Sequence, residues 1–153
     1  MSRKPVEIVA ASMARHGSGR EAIMEMLTDV NTELGYIPEE AIRAIAAAVG
    51  VSDAEIYSVI SFYSFFSTEP RGRNIVRLCN TITCELNGSK EILNTLENEL
   101  GIKAGETTSD NRVTLETTSC IGLCDESPAM LVNDTPHTRL TPEEARRIVA
   151  GLE

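Results

Sequence analysis

A chain of 153 residues with 42% hydrophobic and 24% charged residues is long and apolar enough for a packed domain behind a helical extension, and too balanced to be disordered. Its formal net charge of −9 repels nucleic acid and anionic lipid over most of the surface, which argues against both as partners. The longest apolar run, from Ile42 to Val51, is broken by Arg43 and falls far short of the roughly 20 residues that span a bilayer.

The amino end carries Arg3 and Lys4, but the Val6 to Ala11 stretch behind it contains Glu7 and is too short for a secretory segment. The expected location is the cytoplasm, including attachment to the inner face of a membrane through a larger complex. In a reducing compartment four cysteines are metal ligands or redox groups more often than disulfides.

In chain order, a helix is expected from about Val6 to Arg15, broken at His16-Gly17-Ser18-Gly19. From Arg20 to Leu34, Ile23, Met26, Leu27, Val30 and Leu34 recur at three- and four-residue steps and form the apolar face of a second helix. Gly35 ends it. Pro38 opens a third helix with Ile42, Ile45, Ala46 and Val49 inward, and Gly50 stops it. Ser52 and Glu55 form a capping-box pattern that opens a fourth helix through Ile56, Val59, Ile60 and Tyr63. Residues 6 to 66 thus read as helical throughout.

Turn formers at Ser67-Thr68-Glu69-Pro70-Arg71-Gly72 mark a boundary, giving a helical domain at 1–68 and a second domain at 69–153. Beyond it, Ile75, Val76 and Leu78 predict a strand ending at Cys79. Ile92, Leu93, Leu96 and Leu100 predict a helix stopped by Gly101. Two strands follow, at Arg112 to Thr117 and Ala129 to Val132, and Thr141-Pro-Glu-Glu144 opens a last helix. This half reads β-α-β-β-α, and the whole chain α+β.

The cysteines lie in the second half as Cys79-x4-Cys84 and Cys120-x3-Cys124, both pairs next to predicted strand ends. A [2Fe–2S] core has two irons, each needing two outer ligands beyond the bridging sulfides. Two loop-borne pairs meet that need, with backbone N–H groups of Asn80 to Thr83 and Ile121 to Leu123 available to the sulfurs and Gly122 allowing close approach. Zinc held by four thiolates is the main alternative, as a structural or interaction module without a redox role. Its paired ligands usually stand two residues apart, so the spacing disfavours it. A Cys-x-x-Cys dithiol is absent, and a Rieske site needs two histidines, whereas His16 and His137 do not flank any cysteine.

A set of motifs resembles one family in order and spacing. These are Ile60-Ser-Phe-Tyr-Ser-Phe-Phe66, Pro70-Arg-Gly-Arg73, Arg77-Leu-Cys79, Cys84-Glu-Leu-Asn-Gly88 and Gly101-Ile-Lys-Ala-Gly-Glu-Thr-Thr108. Cys120-Ile-Gly-Leu-Cys124, Pro128-Ala-Met-Leu-Val-Asn-Asp134 and Leu140-Thr-Pro-Glu143 continue it. The chain resembles, from about Arg20 onward, the small iron–sulfur subunit of NADH dehydrogenase modules. That family comprises the 24-kilodalton-type subunit of complex I and its relatives in NAD-linked, including bifurcating, hydrogenases and in NAD-linked formate dehydrogenases. The resemblance implies an N-terminal helical bundle followed by a thioredoxin-like [2Fe–2S] domain with Cys79, Cys84, Cys120 and Cys124 as ligands. It also implies docking on a flavoprotein subunit that binds FMN and NAD(H), beside further iron–sulfur subunits. The sequence departs from the family at Asp125-Glu126-Ser127, acidic where small apolar residues are common, which is expected to lower the cluster's potential.

No nicotinamide fingerprint and no nucleophile–base arrangement is present, so no catalytic residue is assigned and catalysis is expected to reside in a partner. Phe62, Tyr63, Phe65 and Phe66 read as core or inter-domain packing, with contact to a partner as the alternative. Arg71, Arg73 and Arg77 read as a basic patch that is solvated or meets an acidic partner, the solvated reading slightly ahead, His137 as a surface residue in a turn, and Asn133-Asp134 as a turn.

Overall fold

A computed structural model describes residues 3–153. Met1 and Ser2, part of the amino end read above for targeting, lie outside the described residues. The expected mixture of helices and sheet is present, and the chain forms two compact units, one running to Pro70 and the other covering Arg71–Glu153.

The first unit consists of α1 (Pro5–His16), a 3₁₀ turn (Arg20–Ala22), α2 (Ile23–Leu34), α3 (Glu39–Val49) and α4 (Asp53–Phe62). Met26, Leu27, Val30, Ile45 and Ile56, on the apolar stripes read from the sequence, are fully buried, and Ile8 of α1 and Ile37 between α2 and α3 join them. Each such side chain contributes about 1.5–3 kcal/mol through removal from water. Ser52 caps α4 by accepting the Glu55 N–H at 3.3 Å.

That helix is shorter than expected. It ends at Phe62 because Ser58 and Ser61 turn their hydroxyls back onto the carbonyls of Glu55 and Ser58, at 2.7 and 3.0 Å, and Tyr63 is extended. Such back-bonding competes with the helical ladder. The aromatic run therefore straddles a helix end, and only part of it is core: Phe66 is 5% exposed, whereas Phe62 is 79% exposed.

Among the described residues no single helix is long and apolar enough to cross a membrane. The pair α3 and α4 is apolar enough together, but the two meet at 116° and bury Ile42, Ile45, Ile56 and Ile60 in the helical core.

The second unit runs β1 (Asn74–Cys79), α5 (Ile82–Leu86), α6 (Ser89–Leu100), β2 (Val113–Thr118), a 3₁₀ turn (Cys124–Glu126), β3 (Met130–Val132), β4 (Thr135–His137) and α7 (Pro142–Ala150). The sheet order is β2-β1-β3-β4, with β1 parallel to β2 and antiparallel to β3. Two elements exceed the expected β-α-β-β-α. Helix α5 is five residues long, too short for a periodic stripe. Strand β4 contains Pro136 and His137, read above as a turn; it is one of the two edge strands of this sheet, where a proline's missing N–H does not break the ladder.

Strand alternation divides this sheet into two faces. Val76, Leu78, Val113, Leu115, Met130 and Val132 form a core cluster with Ile92 and Leu96 of α6 and Ala145 and Val149 of α7. Arg77, Cys79 and Glu116 belong to the opposite face. Just before β1, a Cβ on Gly72 would lie 2.8 Å from the backbone of Val113, so only glycine fits. Its N–H donates to Thr114 Oγ1 at 2.7 Å.

Candidate metal centre

The ends of three strands deliver the four cysteines to one region. Cys79 closes β1, and its N–H donates to the Ala129 carbonyl just before β3, at 3.1 Å. The next N–H, of Asn80, donates to Thr118 at the end of β2, at 3.0 Å, and the chain from Thr118 leads directly to Cys120. Cys84 lies on α5 and Cys124 opens the 3₁₀ turn.

All four thiols are free. Cys79 and Cys84 are each 1% exposed, while Cys120 and Cys124 are exposed. Within the exposed pair the sulfurs are 3.2 Å apart, in contact without a bond. The buried pair share a hydrogen bond, and the Cys124 thiol feels the charge of Cys79 across the gap between the pairs. Among the described residues no three His, Cys, Asp or Glu side chains gather closely enough to hold a single ion. The sulfurs thus fall into two pairs, Cys79 with Cys84 and Cys120 with Cys124.

The electrostatics separate the two buried thiols. Burial pushes the Cys79 thiol up, but hydrogen bonds from the Thr81 hydroxyl and backbone, from Cys84 and from the Ile121 backbone outweigh it and hold Cys79 below its ordinary value. Burial, followed by its hydrogen bond to Cys79, pushes Cys84 up, against a lowering contact from the Ala129 backbone. Cys124 is raised by its hydrogen bond to Cys120, by the charges of Cys120 and Cys79 and by Asp125. This is a donor set of soft sulfurs with backbone groups aimed at them, as a cluster requires.

Several supporting residues were not singled out in the sequence. Thr81 Oγ1 lies 3.1 Å from Cys79 Sγ and does not cap α5, although it stands at the cap position. Asn87 donates to the Thr83 carbonyl at 2.8 Å and to Ser127 Oγ at 2.9 Å, joining the two cysteine-bearing segments. Arg139 donates its backbone N–H to the Glu126 carbonyl at 2.8 Å and its guanidinium to the Glu126 carboxylate at 3.1 Å. Gly122 acts differently from expectation. A Cβ there meets no atom within 4 Å, so the glycine serves its φ of 84° rather than a close approach, and its N–H donates to Cys120 Sγ at 3.4 Å.

The basic patch also reads differently in three dimensions. Arg71 and Arg77 are 8% and 14% exposed and both bind Glu116, so only Arg73 is an exposed member. Of the histidines, His16 ends α1 with Nε2 3.5 Å from Asp29, and His137 lies in β4.

A helix-backed four-stranded sheet with two cysteine pairs at its strand ends defines a thioredoxin-like ferredoxin. The chain belongs to the thioredoxin-like [2Fe-2S] ferredoxin family, whose model matches residues 9–153, and its cofactor is a [2Fe–2S] cluster. It is 38% identical over 137 residues to a subunit of the NADH-quinone oxidoreductase of Escherichia coli K12, covering 90% of this chain and 82% of that one. A subunit of an NADH-quinone oxidoreductase of Rhizobium meliloti is 40% identical over 147 residues, covering 96% and 86%. The alpha subunit of the NAD-reducing hydrogenase HoxS of Cupriavidus necator is 35% identical over 145 residues, which are 95% of this chain and 24% of that subunit. A solved NAD⁺-reducing [NiFe]-hydrogenase in its H₂-reduced state superposes with a TM-score of 0.75 at 25% identity, covering 87% of this chain and 22% of the hydrogenase chain.

Proposed function

We propose that this chain is an electron-transfer subunit whose [2Fe–2S] cluster is held by Cys79 and Cys84 on one iron and by Cys120 and Cys124 on the other. The observation that carries the reading is the arrangement of four free thiols as two neighbouring pairs, one buried and one exposed. When bound, the cluster accepts and returns one electron. The chain's residues fix its position and bias its potential: the N–H groups of Gly122 and the Ile121 backbone and the hydroxyl of Thr81 stabilise thiolate charge, and the exposed pair turns one edge of the site toward a partner.

The partner in this reading is a flavoprotein subunit carrying FMN and NAD(H), with further iron–sulfur subunits beyond it. The parent complex is of the NADH:quinone oxidoreductase type or an NAD-linked hydrogenase or formate dehydrogenase. The relatives of this chain, named as subunits of NADH-quinone oxidoreductases and of an NAD-reducing hydrogenase, support this assignment. The residues up to about 68 serve as a helical domain and those from about 69 as the cluster domain, and the chain works on the cytoplasmic side.

The test is anaerobic reduction of the purified chain followed by EPR. NADH together with an NADH-oxidising FMN flavoprotein subunit should generate the signal of a reduced [2Fe–2S] centre, and NADH alone should not. A cluster that dithionite reduces but NADH plus the flavoprotein leaves oxidised would reject the electron-exchange reading.

A further inference from the structure

On the sheet face opposite the core, Arg77 of β1 and Glu116 of β2 are register partners across the parallel pair. Arg77 Nε donates to Glu116 Oε2 at 3.0 Å, and Arg71 Nε lies 3.0 Å from the other carboxylate oxygen, Oε1. The three side chains are 14%, 8% and 19% exposed in the order Arg77, Arg71 and Glu116. Two guanidiniums bind one carboxylate in a poorly solvated place. Burial is the largest influence on Arg71 and lowers its pKa, Glu116 opposes that, and Arg77 adds to it.

The triad sits directly behind the cysteine loops. Cys79 follows Arg77 by two residues on the same face of β1, a rise of about 7 Å. Thr118, two residues after Glu116, holds the N–H of Asn80 and leads into Cys120. A [2Fe–2S] site with four thiolates is doubly negative when oxidised and triply negative when reduced, so nearby positive charge favours the reduced form. Water screens such a charge far less when it is buried than when it is exposed.

We infer that the Arg71–Glu116–Arg77 triad is a charge device that raises the reduction potential of the cluster, Arg77 supplying the positive field and Glu116 attenuating it. This rests on the reading of the four cysteines as ligands. Its charge is opposite in sign to that of the acidic Asp125-Glu126 segment, and Arg77 and Glu116 are held on paired strands. The two partners of one ion pair are thereby assigned opposite effects on the potential, which a purely structural ion pair does not have.

The experiment is an EPR-monitored redox titration of the full chain with its cluster, in Arg77→Gln, Arg77→Lys and Glu116→Gln. Iron, sulfide and visible absorption are measured first. A wild-type chain without a cluster would overturn the ligand reading itself, whereas intact clusters with unshifted potentials would overturn the triad alone. Arg77→Gln is expected to lower the reduced-to-oxidised ratio at fixed potential about tenfold, equivalent to about 59 mV for one electron. Glu116→Gln should raise it by a similar factor, and Arg77→Lys should restore the wild-type value. The inference fails when Arg77→Gln leaves the potential unchanged or raises it, or when both substitutions move it the same way. Where Glu116→Gln does not retain its cluster, the Arg77→Gln and Arg77→Lys pair decides.

Discussion

The Asn87 side-chain amide donates to Ser127 Oγ at 2.9 Å and to the Thr83 carbonyl at 2.8 Å, linking the end of the helix that carries Cys84 to the segment that follows Cys124. The contact is at the surface, and it fixes the spacing of two loops that the sheet alone holds only at their strand ends. Asn87→Ala removes both bonds, about 1 kcal/mol each. The expected result is faster loss of visible absorbance on incubation with a chelator, at an unchanged content of helix and sheet by circular dichroism. Wild-type retention kinetics in Asn87→Ala would show that the latch does not position the cysteines.

Thr81 spends its hydroxyl on Cys79 Sγ, 3.1 Å away, instead of on the helix it precedes. A donor to a ligand sulfur stabilises the more negative, reduced state. Thr81→Val keeps the shape and deletes the donor, so the midpoint potential should fall by an amount on the order of 1 kcal/mol, some tens of millivolts. A rise in potential would contradict this.

The two acidic residues after Cys124 are not equivalent. Asp125 is exposed and acts on the Cys124 thiol, whereas Glu126 is paired with Arg139 at 3.1 Å. Asp125→Asn should raise the midpoint potential, and Glu126→Gln should raise it less. Exposed charges are screened over a Debye length of about 8 Å at physiological ionic strength, so the Asp125→Asn shift should shrink as salt is added. Equal shifts in the two variants, or a shift indifferent to salt, would remove this account of the acidic segment.

Within the aromatic run, burial separates residues that look alike in sequence. Phe66 is 5% exposed in the helical core, and Phe66→Ala should cost about 3–5 kcal/mol in denaturant unfolding. Phe62 is 79% exposed, so Phe62→Ala should change stability by less than about 0.5 kcal/mol. Comparable losses in both would contradict the packing described.

Long periodic elements were legible in the sequence because one buried face imposes one period. The stripe Ile23, Met26, Leu27 and Val30 gave α2, and Val76 with Leu78 gave β1. The pairing of the cysteines was legible because their spacing is written along the chain, and the structure brings Cys120 and Cys124 to 3.2 Å. Helix α5 and strand β4 were not, since one is five residues long and the other depends on pairing with β3. The Arg71–Glu116–Arg77 triad was equally hidden: Glu116 is 39 residues from Arg77, and only the parallel register of β1 and β2 brings them together. A basic cluster read along the chain thus became an internal ion group. One cue was available, that Arg77 and Cys79 are two apart on a predicted strand and share a face.

The central claim, that two cysteine pairs hold a two-iron cluster, is tested most directly by metal and sulfide analysis of the anaerobically purified chain, wild type beside single Cys79→Ala, Cys84→Ala, Cys120→Ala and Cys124→Ala variants. The account predicts about two irons and two acid-labile sulfides per wild-type chain and strongly reduced occupancy in every variant. Stoichiometric zinc without iron, or full cluster occupancy in any one of the four variants, would contradict it.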